Sequence, residues 1–557
     1  MSPNQPPSIR RSSSSESADD LEPIRSLEGK APHTGEPDNT ADIHYEYLEF
    51  HSALPEAFTS PDPSLPSPPS LAKYTSPFDW SFGHKALIVY LCCTATFHAA
   101  YSAGAYSIAS EPLRAKWNVS SVAFNTGVTT WAMGFACSPM FLAPLSELNG
   151  RRPVFLASGV IFLAALIGCA LTDSFAGMLV ARFFVGAGAS TYATMCGGVM
   201  ADIFHNEHRN TPMAIYSGGA LAGTGFGPFV SGFIIGKVNY RWVFYHQIIA
   251  LVFTLTLMVF FFSETRGSVL LSRRAAVINK YLDQISKATE TSEAQVPAVR
   301  FKVAADESRA SVSRLIYLSL TIPFKLLATE PVVFFFSLWA ANAWALLYMT
   351  FSVIPLVFTD VYGFDTQANG CVFAAIAGGS LIGTGLSIYQ DRLARQYWPK
   401  FTAVPEGRLY FACLESALLP VGLFWFGWTA RSDVHWISPT LALGTAQIGI
   451  FSIYLAVFNY LADVYHRYAS SALAGQSFCR NVLAAVFPLF TKQLFSRLGY
   501  GGASSLLGGI AVILTAVPWV LVFYGETIRS RSKVASEIMV RVRSRRSARE
   551  GEGQEKV

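Results

Sequence analysis

Two charged side chains interrupt long apolar segments of this sequence, and they are its first candidates for chemistry. Arg480 lies about 15 Å into the run 468–491 if that run is helical, and Glu415 lies about 10 Å into 409–430. A charge at such depth is costly unless it faces a partner or a cavity, so both residues mark a path for a ligand or an ion. Arg480 is a candidate binding or coupling residue, or else a structural partner of Glu415 or of a backbone carbonyl. Glu415 is a candidate proton carrier, with structural pairing as the alternative.

The other reactive side chains exclude some kinds of chemistry. The eight cysteines lie in apolar runs without CxxC or Cys/His spacing, so we expect neither metal sites nor disulfides. No GxxxxGKS or GxxxxGKT loop is present, so ATP is not the energy source and an ion gradient, by default of protons, remains. His98 is the one ring at depth that titrates near neutrality, although a lone histidine there more often only packs. We expect no cofactor.

The composition indicates a membrane protein. The 557 residues are 51% hydrophobic and only 14% charged, whereas soluble proteins carry roughly 25% charged residues. The net charge is only +5 and no basic stripe is present, which argues against a nucleic-acid partner. A simple soluble enzyme is therefore excluded, and a lipid bilayer is the expected surrounding.

Twelve apolar segments are long enough to cross a membrane, since a helix needs about 20 apolar residues to span the hydrocarbon core. Ten contain no Asp, Glu, Lys or Arg: 86–110, 119–146, 153–172, 183–201, 211–236, 243–263, 331–359, 366–390, 436–462 and 498–525. The other two are the runs interrupted by Glu415 and Arg480. We number them as spans 1 to 12 and predict an all-α membrane protein of twelve transmembrane helices. It divides into a six-helix bundle at 86–263, a polar cytoplasmic central loop at 264–330 and a second six-helix bundle at 331–525.

The two tails and the loops predict an orientation. Residues 1–85 are rich in Ser and Pro and are expected to be a disordered tail, while 526–557 form a basic tail. Lys and Arg concentrate in the loops that share a side with both tails, so we expect both termini in the cytoplasm. The sequon at Asn118 then falls in the first outer loop and is a glycosylation candidate, although that loop is short.

The two halves echo each other. Residues 201–205 read ADIFH after span 4, and residues 462–466 read ADVYH after span 10, at an offset of 261 residues. Pro228 in span 5 corresponds to Pro488 in span 11. Two parallel six-helix pseudo-repeats with a ligand bound between them are the architecture of a secondary transporter.

A charged motif follows the second span of each half. In the first half, Glu147 is followed by Gly150, Arg151 and Arg152. In the second half, Asp391 is followed four residues later by Arg395. Both sets are candidate gate residues. Glu147 could pair with Arg151 or cap a neighbouring helix, and a pair that breaks and reforms would act as a gate. The alternative is a mere topology signal, because positive loops stay inside in any case.

These motifs resemble the major facilitator superfamily, and in particular its fungal drug:proton and polyamine:proton antiporters with twelve spans. The resemblance covers about residues 80–533. It rests on the loop 143–153, on 182–188 in span 4, on 223–232 in span 5, on Arg241-Trp242, on 263–265 and on 420–428. The loop departs from the family pattern in having Ala143 where glycine is usual and Glu147 where aspartate is usual.

The resemblance implies roles for two spans. Span 5 carries the antiporter motif Gly223, Gly227, Pro228 and Ser231, whose small side chains on one helix face let a neighbour approach closely. In the family this packing seals the outer side and favours exchange. Arg182 in the motif of span 4 has a coupling role by analogy, and the alternative is that it extends to the lipid headgroups.

The resemblance also implies that spans 1, 2, 4, 5, 7, 8, 10 and 11 surround a cavity. Arg480 should then point into it, with Trp344, Tyr348 and Asn459 as candidate lining residues. Glu415, on an outer span, should lie outside. Aromatic side chains with a polar tip suit amphipathic ligands.

Taken together, the sequence predicts a proton-coupled efflux antiporter, not an enzyme. Its cargo is a small organic compound, either a secondary metabolite or a xenobiotic, and a basic cavity with few acids favours an anionic or neutral one. Polyamine:proton antiport is the alternative, and a nontransporting membrane sensor is a third hypothesis. We expect a monomer in the plasma membrane, with a vacuolar or other endomembrane location as the alternative.

Overall fold

The computed structural model describes residues 44–55, 58, 66–205, 208–289, 299–307, 311–397, 405–465 and 468–532. The disorder predicted for the first 43 residues and the basic tail beyond residue 532 lie outside these described residues. The chain divides into two units, one formed by Met1–Thr75 with Ser268–Ala310 and the other by Ser76–Gly267 with Ser311–Val557.

The second unit contains a helix for each predicted span. Spans 1 to 6 are Phe82–Ala105, Ser121–Asn149, Arg151–Leu171, Phe175–Ile203, Asn210–Lys237 and Trp242–Phe261. Spans 7, 8 and 10 are Pro331–Tyr362, Thr366–Tyr397 and Ile437–Tyr465, and span 9 consists of Tyr410–Glu415 and Leu418–Thr429. Spans 11 and 12 share the stretch Ala469–Arg531, in which Gly499 adopts a φ of 69° that only glycine tolerates readily. The predicted all-α membrane fold is thus confirmed.

Serine residues begin several of the spans. The side chains of Ser81, Ser120 and Ser174 each accept a hydrogen bond from the backbone N–H three residues later, at 3.4, 3.2 and 3.4 Å. These bonds satisfy donors that the first helical turn leaves free. Asn118, the glycosylation candidate, is exposed just before this start of span 2 and has a φ of 51°. Its modification stays a prediction.

The region 264–330 is not the polar loop that the sequence indicated. It contains the helices Gly267–Thr289, Ala304–Glu307 and Val312–Thr329 and the strand Val299–Lys302. We call Val312–Thr329 the connector helix, which is long and apolar enough to cross a membrane. Because Arg314 and Lys325 divide its sequence, the stretch free of charge between them is too short to count as a span.

The first unit contradicts the prediction that all of residues 1–85 are disordered. The strand His44–Tyr47 pairs in parallel with Val299–Lys302, so that His44 lies opposite Val299. Leu48, Ile278 and Phe301 are buried in a small core beside this pair. The order of residues 44–47 depends on a strand about 250 residues away, which the local composition cannot reveal.

Span 5 packs closely against helices of both halves of the second unit. A Cβ on Gly223 would lie 2.6 Å from the carbonyl oxygen of Phe97 in span 1, and one on Gly227 would overlap the carbonyl oxygen of Tyr101. Pro228 lies against Gly104 of the same span 1. On another face, a Cβ on Gly225 would lie 2.6 Å from a backbone nitrogen of span 8. Span 5 therefore joins the two halves through backbone-to-backbone contacts.

Candidate functional site

A cavity of about 610 Å³ lies between the two halves. Spans 2, 4 and 5 line it from the first half and spans 10 and 11 from the second; its polar lining includes Glu147, Arg151, Asp202, Asn459, Asp463 and Arg480. Asp202 and Asp463, the matching acids of the internal repeat, therefore face one space. The cavity reaches the end of the bundle where spans 2, 4 and 10 end.

A second cavity of about 440 Å³ adjoins the first. Its lining includes Gln390, Asp391 and Glu415 from the second half and His208 and Asn210 from the first. The side-chain amide of Asn459 donates to Asn210 Oδ1 at 3.1 Å, and these two residues border both cavities. This hydrogen bond therefore crosses from one half to the other at the boundary between the cavities. The sequence pointed to Asn459 but not to its partner, because no local pattern distinguishes Asn210.

The two halves are in contact toward the opposite end. Asn125 near the start of span 2 donates to the carbonyl oxygen of Pro488 in span 11 at 2.8 Å, and Thr129 donates to that of Ala485 at 2.7 Å. Asn125 also donates to Ser352 in span 7 at 3.3 Å. Because the two acceptors in span 11 are backbone atoms and the one in span 7 is a serine hydroxyl, no charged or aromatic signature in the sequence could have identified this contact.

Arg480 lies at the inner limit of the larger cavity. The residue is only 2% exposed, and its guanidinium carbon lies 4.4 Å from the ring centre of Trp344 and 5.0 Å from that of Tyr454. Its Nη2 donates to Ser477 Oγ at 3.5 Å, whereas Nε and Nη1 have no hydrogen-bond partner among the described residues. Among the described residues, Arg480 therefore pairs neither with Glu415 nor with a backbone carbonyl, the two structural alternatives that the sequence left open.

Trp344 and Tyr348 lie behind Arg480 and are not lining residues of either cavity. Both are buried in span 7, and the ring of Trp344 stacks on Tyr454 with centres 5.4 Å apart. Tyr348 packs between Trp344 and Trp131, with ring centres 6.1 Å from each. These aromatic residues support the guanidinium rather than opening directly on the space.

Arg182 does not extend toward headgroups. It is 1% exposed, and its Nε and Nη1 donate to the carbonyl oxygens of Gly127 and Ser102 at 3.1 and 2.9 Å. Its guanidinium also covers the Tyr106 ring at 4.6 Å. Hydrogen bonds to backbone carbonyls of spans 1 and 2 therefore take the place of contacts with lipid headgroups. Arg182 links these two spans to span 4 and does not line either cavity.

The structure places Glu415 at a cavity and His98 away from both cavities. Glu415, expected outside, lines the second cavity and accepts a hydrogen bond from Gln390 Nε2 at 2.5 Å. His98, a candidate cavity residue with packing as its alternative, is absent from both linings and packs edge-on to Phe97. One turn away, Tyr101 bonds to His246 of span 6 at 2.7 Å, so a second titratable ring lies at this depth beside His98. Helix rotation, which hydropathy does not report, decides these faces.

The loop after span 2 uses a different acid from the one expected. Arg151 Nε donates to Asp202 Oδ2 at 3.0 Å, and Arg266 bonds to the other oxygen at 3.3 Å. Glu147 is exposed at the cavity and is not the partner of Arg151. Glu147, four positions before Arg151, was the nearest acid in the sequence. Span 4 instead brings Asp202 to the buried guanidinium of Arg151.

Glu264 fixes the start of span 3. Its carboxylate accepts hydrogen bonds from the backbone N–H groups of Arg151 and Arg152 at 2.8 and 3.2 Å. Gly150 has a φ of 99°, and a Cβ there would overlap Glu264. An acid over the first turn of a helix is favourable because the free N–H groups and the helix dipole both point at it. The exit from span 6 thus holds the loop between spans 2 and 3 in place.

Asp391 and Arg395 pair within span 8. Arg395 Nη2 lies 2.9 Å from Asp391 Oδ2, and both residues line the second cavity. The pair lies between residues i and i+4 of one helix, so it stabilises the end of span 8 only modestly. Unlike Arg151 with Asp202, this ion pair does not join two spans.

The sequence from residue 91 to residue 488 matches the Major Facilitator Superfamily. The chain belongs to this superfamily. The facilitator is therefore a multi-pass membrane transporter of small molecules and not an enzyme.

Relatives and solved structures agree with this assignment. The facilitator is 30% identical to the efflux pump MFS2 of Trichophyton rubrum over 93% of this chain and 85% of the relative. It is 29% identical to the multidrug transporter FLR2 of Candida glabrata over 83% of this chain and 77% of the relative. The structure of the proton:xylose symporter XylE superimposes with a TM-score of 0.57 at 14% identity, covering 80% of this chain and 97% of XylE. At that identity the likeness concerns the fold alone.

Proposed function

We propose that this facilitator exports a small organic compound in exchange for protons by alternating access. The observation that carries the proposal is the cavity between the halves, which ends on the buried Arg480 while Asn125 and Thr129 join the halves toward the opposite end. Access from one end with the halves joined at the other is one of the two states that rocking of the bundles requires. The efflux pumps and multidrug transporters among its relatives support export.

Carboxylates at the cavities supply the candidate proton sites. Asp202 holds Arg151 and Arg266, so its protonation would release both arginines and free span 4 from the neighbouring loops. Glu415 in the second cavity is the other candidate, because Gln390 is its described hydrogen-bond partner and no arginine is. Arg182 would act indirectly, through the packing of spans 1, 2 and 4.

The close packing of span 5 supports exchange rather than uniport. The contacts of Gly223, Gly227 and Pro228 with span 1 hold these two helices together. Such a pair would move as one body, so that a leak through the first bundle is avoided while the halves rock. Ser231, the last small residue of the motif, is fully buried in the same helix.

We infer that both termini lie in the cytoplasm of a plasma-membrane monomer. Arg151, Arg209 and Arg266 line the cavity at one end of the bundle, and a concentration of arginines is typical of cytoplasmic loops. The cavity would then be open for loading from the cytoplasm. Epitope tags at each terminus, probed in intact and permeabilised cells, test the orientation, and a fluorescent fusion distinguishes the plasma membrane from the vacuole.

Transport in reconstituted vesicles tests the proposed function. Purified chain is placed in proteoliposomes, and a panel of labelled acidic, neutral and cationic aromatic compounds is followed with and without an imposed proton gradient. At least one compound should move in the direction opposite to the flow of protons without ATP, and an uncoupler that dissipates the gradient should stop this transport. Asp202→Asn and Glu415→Gln should show which of the two acids the proton-driven transport requires. Asp433→Asn, at an exposed position, is the control. Transport of none of them, or transport indifferent to the gradient, would reject proton exchange.

Polyamine export is the second candidate. Acids that a polyamine would seek do line the larger cavity at Glu147, Asp202 and Asp463. They lie toward the ends of spans 2, 4 and 10, however, whereas the inner limit of the cavity carries Arg480. A polycation would therefore meet repulsion at the deepest point. Spermine in the same vesicle assay distinguishes the two cargoes.

A further inference from the structure

We propose that Arg480 recognises the carboxylate of an organic acid, which makes this chain a carrier of apolar organic anions. The proposal rests on the proposed transport function, since it assigns the cargo class of the same cavity. It depends on three features of the structure: unpaired donors on a buried cation, aromatic rings packed against that cation, and an apolar wall beside it.

The first feature is the unpaired guanidinium. Nε and Nη1 carry three N–H bonds, and none of them has an acceptor among the described residues. No carboxylate in that part of the chain forms an ion pair with Arg480, although the residue is 2% exposed. A buried charge and its unused donors are both costly, and an anion that enters the cavity would supply the missing charge and acceptors together.

The second feature is a pair of aromatic rings beside the guanidinium. Trp344 from span 7 and Tyr454 from span 10 hold the guanidinium carbon at 4.4 and 5.0 Å from their ring centres. Such contacts are favourable electrostatically, and they leave Nε and Nη1 without an acceptor. A fixed, planar set of donors matches the two oxygens of a carboxylate better than a flexible ammonium would.

The third feature is the apolar surface beside the charge. Met195, Phe458 and Leu473 line the same cavity as Arg480. Met and aromatic side chains adapt to ligands of different shape, and their burial of apolar area adds to the affinity. The complementary ligand is therefore an acid with an aromatic or aliphatic body, not a small inorganic anion.

Among the residues that the structure describes, four arginines and three carboxylates line the larger cavity, and Asp202 is already paired with two of those arginines. The arginines are Arg151, Arg209, Arg266 and Arg480, and the carboxylates are Glu147, Asp202 and Asp463. A positive balance along the path favours the entry of anions. Arg480 is the deepest of the four, which places the strongest recognition at the inner limit of the cavity.

Binding of a matched ligand series to the purified full-length chain tests the proposal. The probes are 2-naphthoate, its methyl ester and 2-naphthylmethylammonium, which share one ring system and differ in charge. Titration calorimetry in nanodiscs at neutral pH should give naphthoate an affinity at least about tenfold higher than that of the ester, as expected for hydrogen bonds to a charged group. The ammonium should bind more weakly than the ester.

Variants of Arg480 link this preference to the residue. Arg480→Gln should reduce the affinity for naphthoate to that for the ester, and Arg480→Lys should retain part of the preference. Arg497→Gln is the matched control, because Arg497 lies on the same helical stretch but is exposed. The wild-type comparison of the three probes needs no variant and remains decisive if Arg480→Gln does not fold.

The outcomes separate this proposal from the proposed function. Equal binding of acid and ester, binding of none of the probes at millimolar concentration, preference for the ammonium, or an undiminished preference in Arg480→Gln would each overturn anion recognition. Because binding is measured without a proton gradient, carboxylate preference can be observed even if proton-driven transport fails. Conversely, transport of neutral or cationic compounds with no carboxylate preference would reject only the anion site.

Discussion

Arg151 Nε lies 3.0 Å from Asp202 Oδ2, so the first residue of span 3 is tied to the end of span 4. Both side chains are nearly buried, at 7% and 11% exposure, and Arg266 from the exit of span 6 bonds to the same carboxylate. Three loops of the first half therefore meet at one acid. This relationship joins the loop after span 2 to the wall of the larger cavity.

Asp202→Asn should destabilise the protein and impair transport. The substitution leaves the buried Arg151 without its counter-charge, and breaking a buried pair in this way costs about 3 kcal/mol. Thermal unfolding in detergent measures the loss. Glu147→Gln is the control for stability, because Glu147 is exposed and the expected change is below about 0.5 kcal/mol. Equal unfolding temperatures of the two variants would show that the pair of Arg151 with Asp202 does not hold the loop.

Gly223→Ala should lower both stability and transport. Its new methyl group would lie 2.6 Å from the carbonyl oxygen of Phe97, which forces spans 1 and 5 apart. Gly219→Ala on the same helix is the control, since its methyl group would lie 3.8 Å from the nearest atom and should be tolerated. We expect a lower unfolding temperature and reduced vesicle transport for Gly223→Ala alone. Normal behaviour of Gly223→Ala would refute a tight contact between these spans.

Asn125→Ala combined with Thr129→Val should shift the protein toward the state in which the halves separate at the Asn125 end. Each substitution removes a hydrogen bond to span 11, worth about 1 kcal/mol, so the population ratio should change roughly 30-fold. Spin labels at the exposed positions Ala115 and Ser432 report the distance between loops of the two halves at that end. The control is Thr126→Val, which removes a bond within span 2 only. An unaltered distance distribution would count against the contact as a gate.

Asp173 in the loop between spans 3 and 4 predicts a pH dependence. Its hydrogen bond to Lys116, at 2.5 Å, and the nearby Arg241 hold the pKa of the Asp173 carboxyl below its usual value. The stabilisation is therefore present above the ordinary aspartate pKa and is lost as the pH falls through the lower folded value. The difference in unfolding temperature between wild type and Asp173→Asn should be small, constant near neutrality and absent in strong acid. Asp433→Asn provides the comparison, and a difference that grew on acidification would contradict the network.

The sequence by itself determined the spans and the internal repeat. The length and polarity that a bilayer imposes are properties of one segment at a time, so all twelve spans were found without knowledge of their neighbours. For the same reason, the depth of Arg480 could be read from its position in its run. The connector helix was missed because Arg314 and Lys325 break its hydropathy signal.

The tertiary structure alone decided which side chains meet. Asp202 rather than Glu147 became the partner of Arg151, Gln390 bound Glu415, and Arg182 turned inward to backbone carbonyls. Each outcome depends on the rotation of a helix about its axis and on the identity of its neighbours. A transmembrane segment that is apolar all round carries little periodic signal about its buried face. The buried face of span 5 is defined by its glycines, which let the backbones of neighbouring helices approach closely. Which helices those neighbours are is known only from the assembled structure.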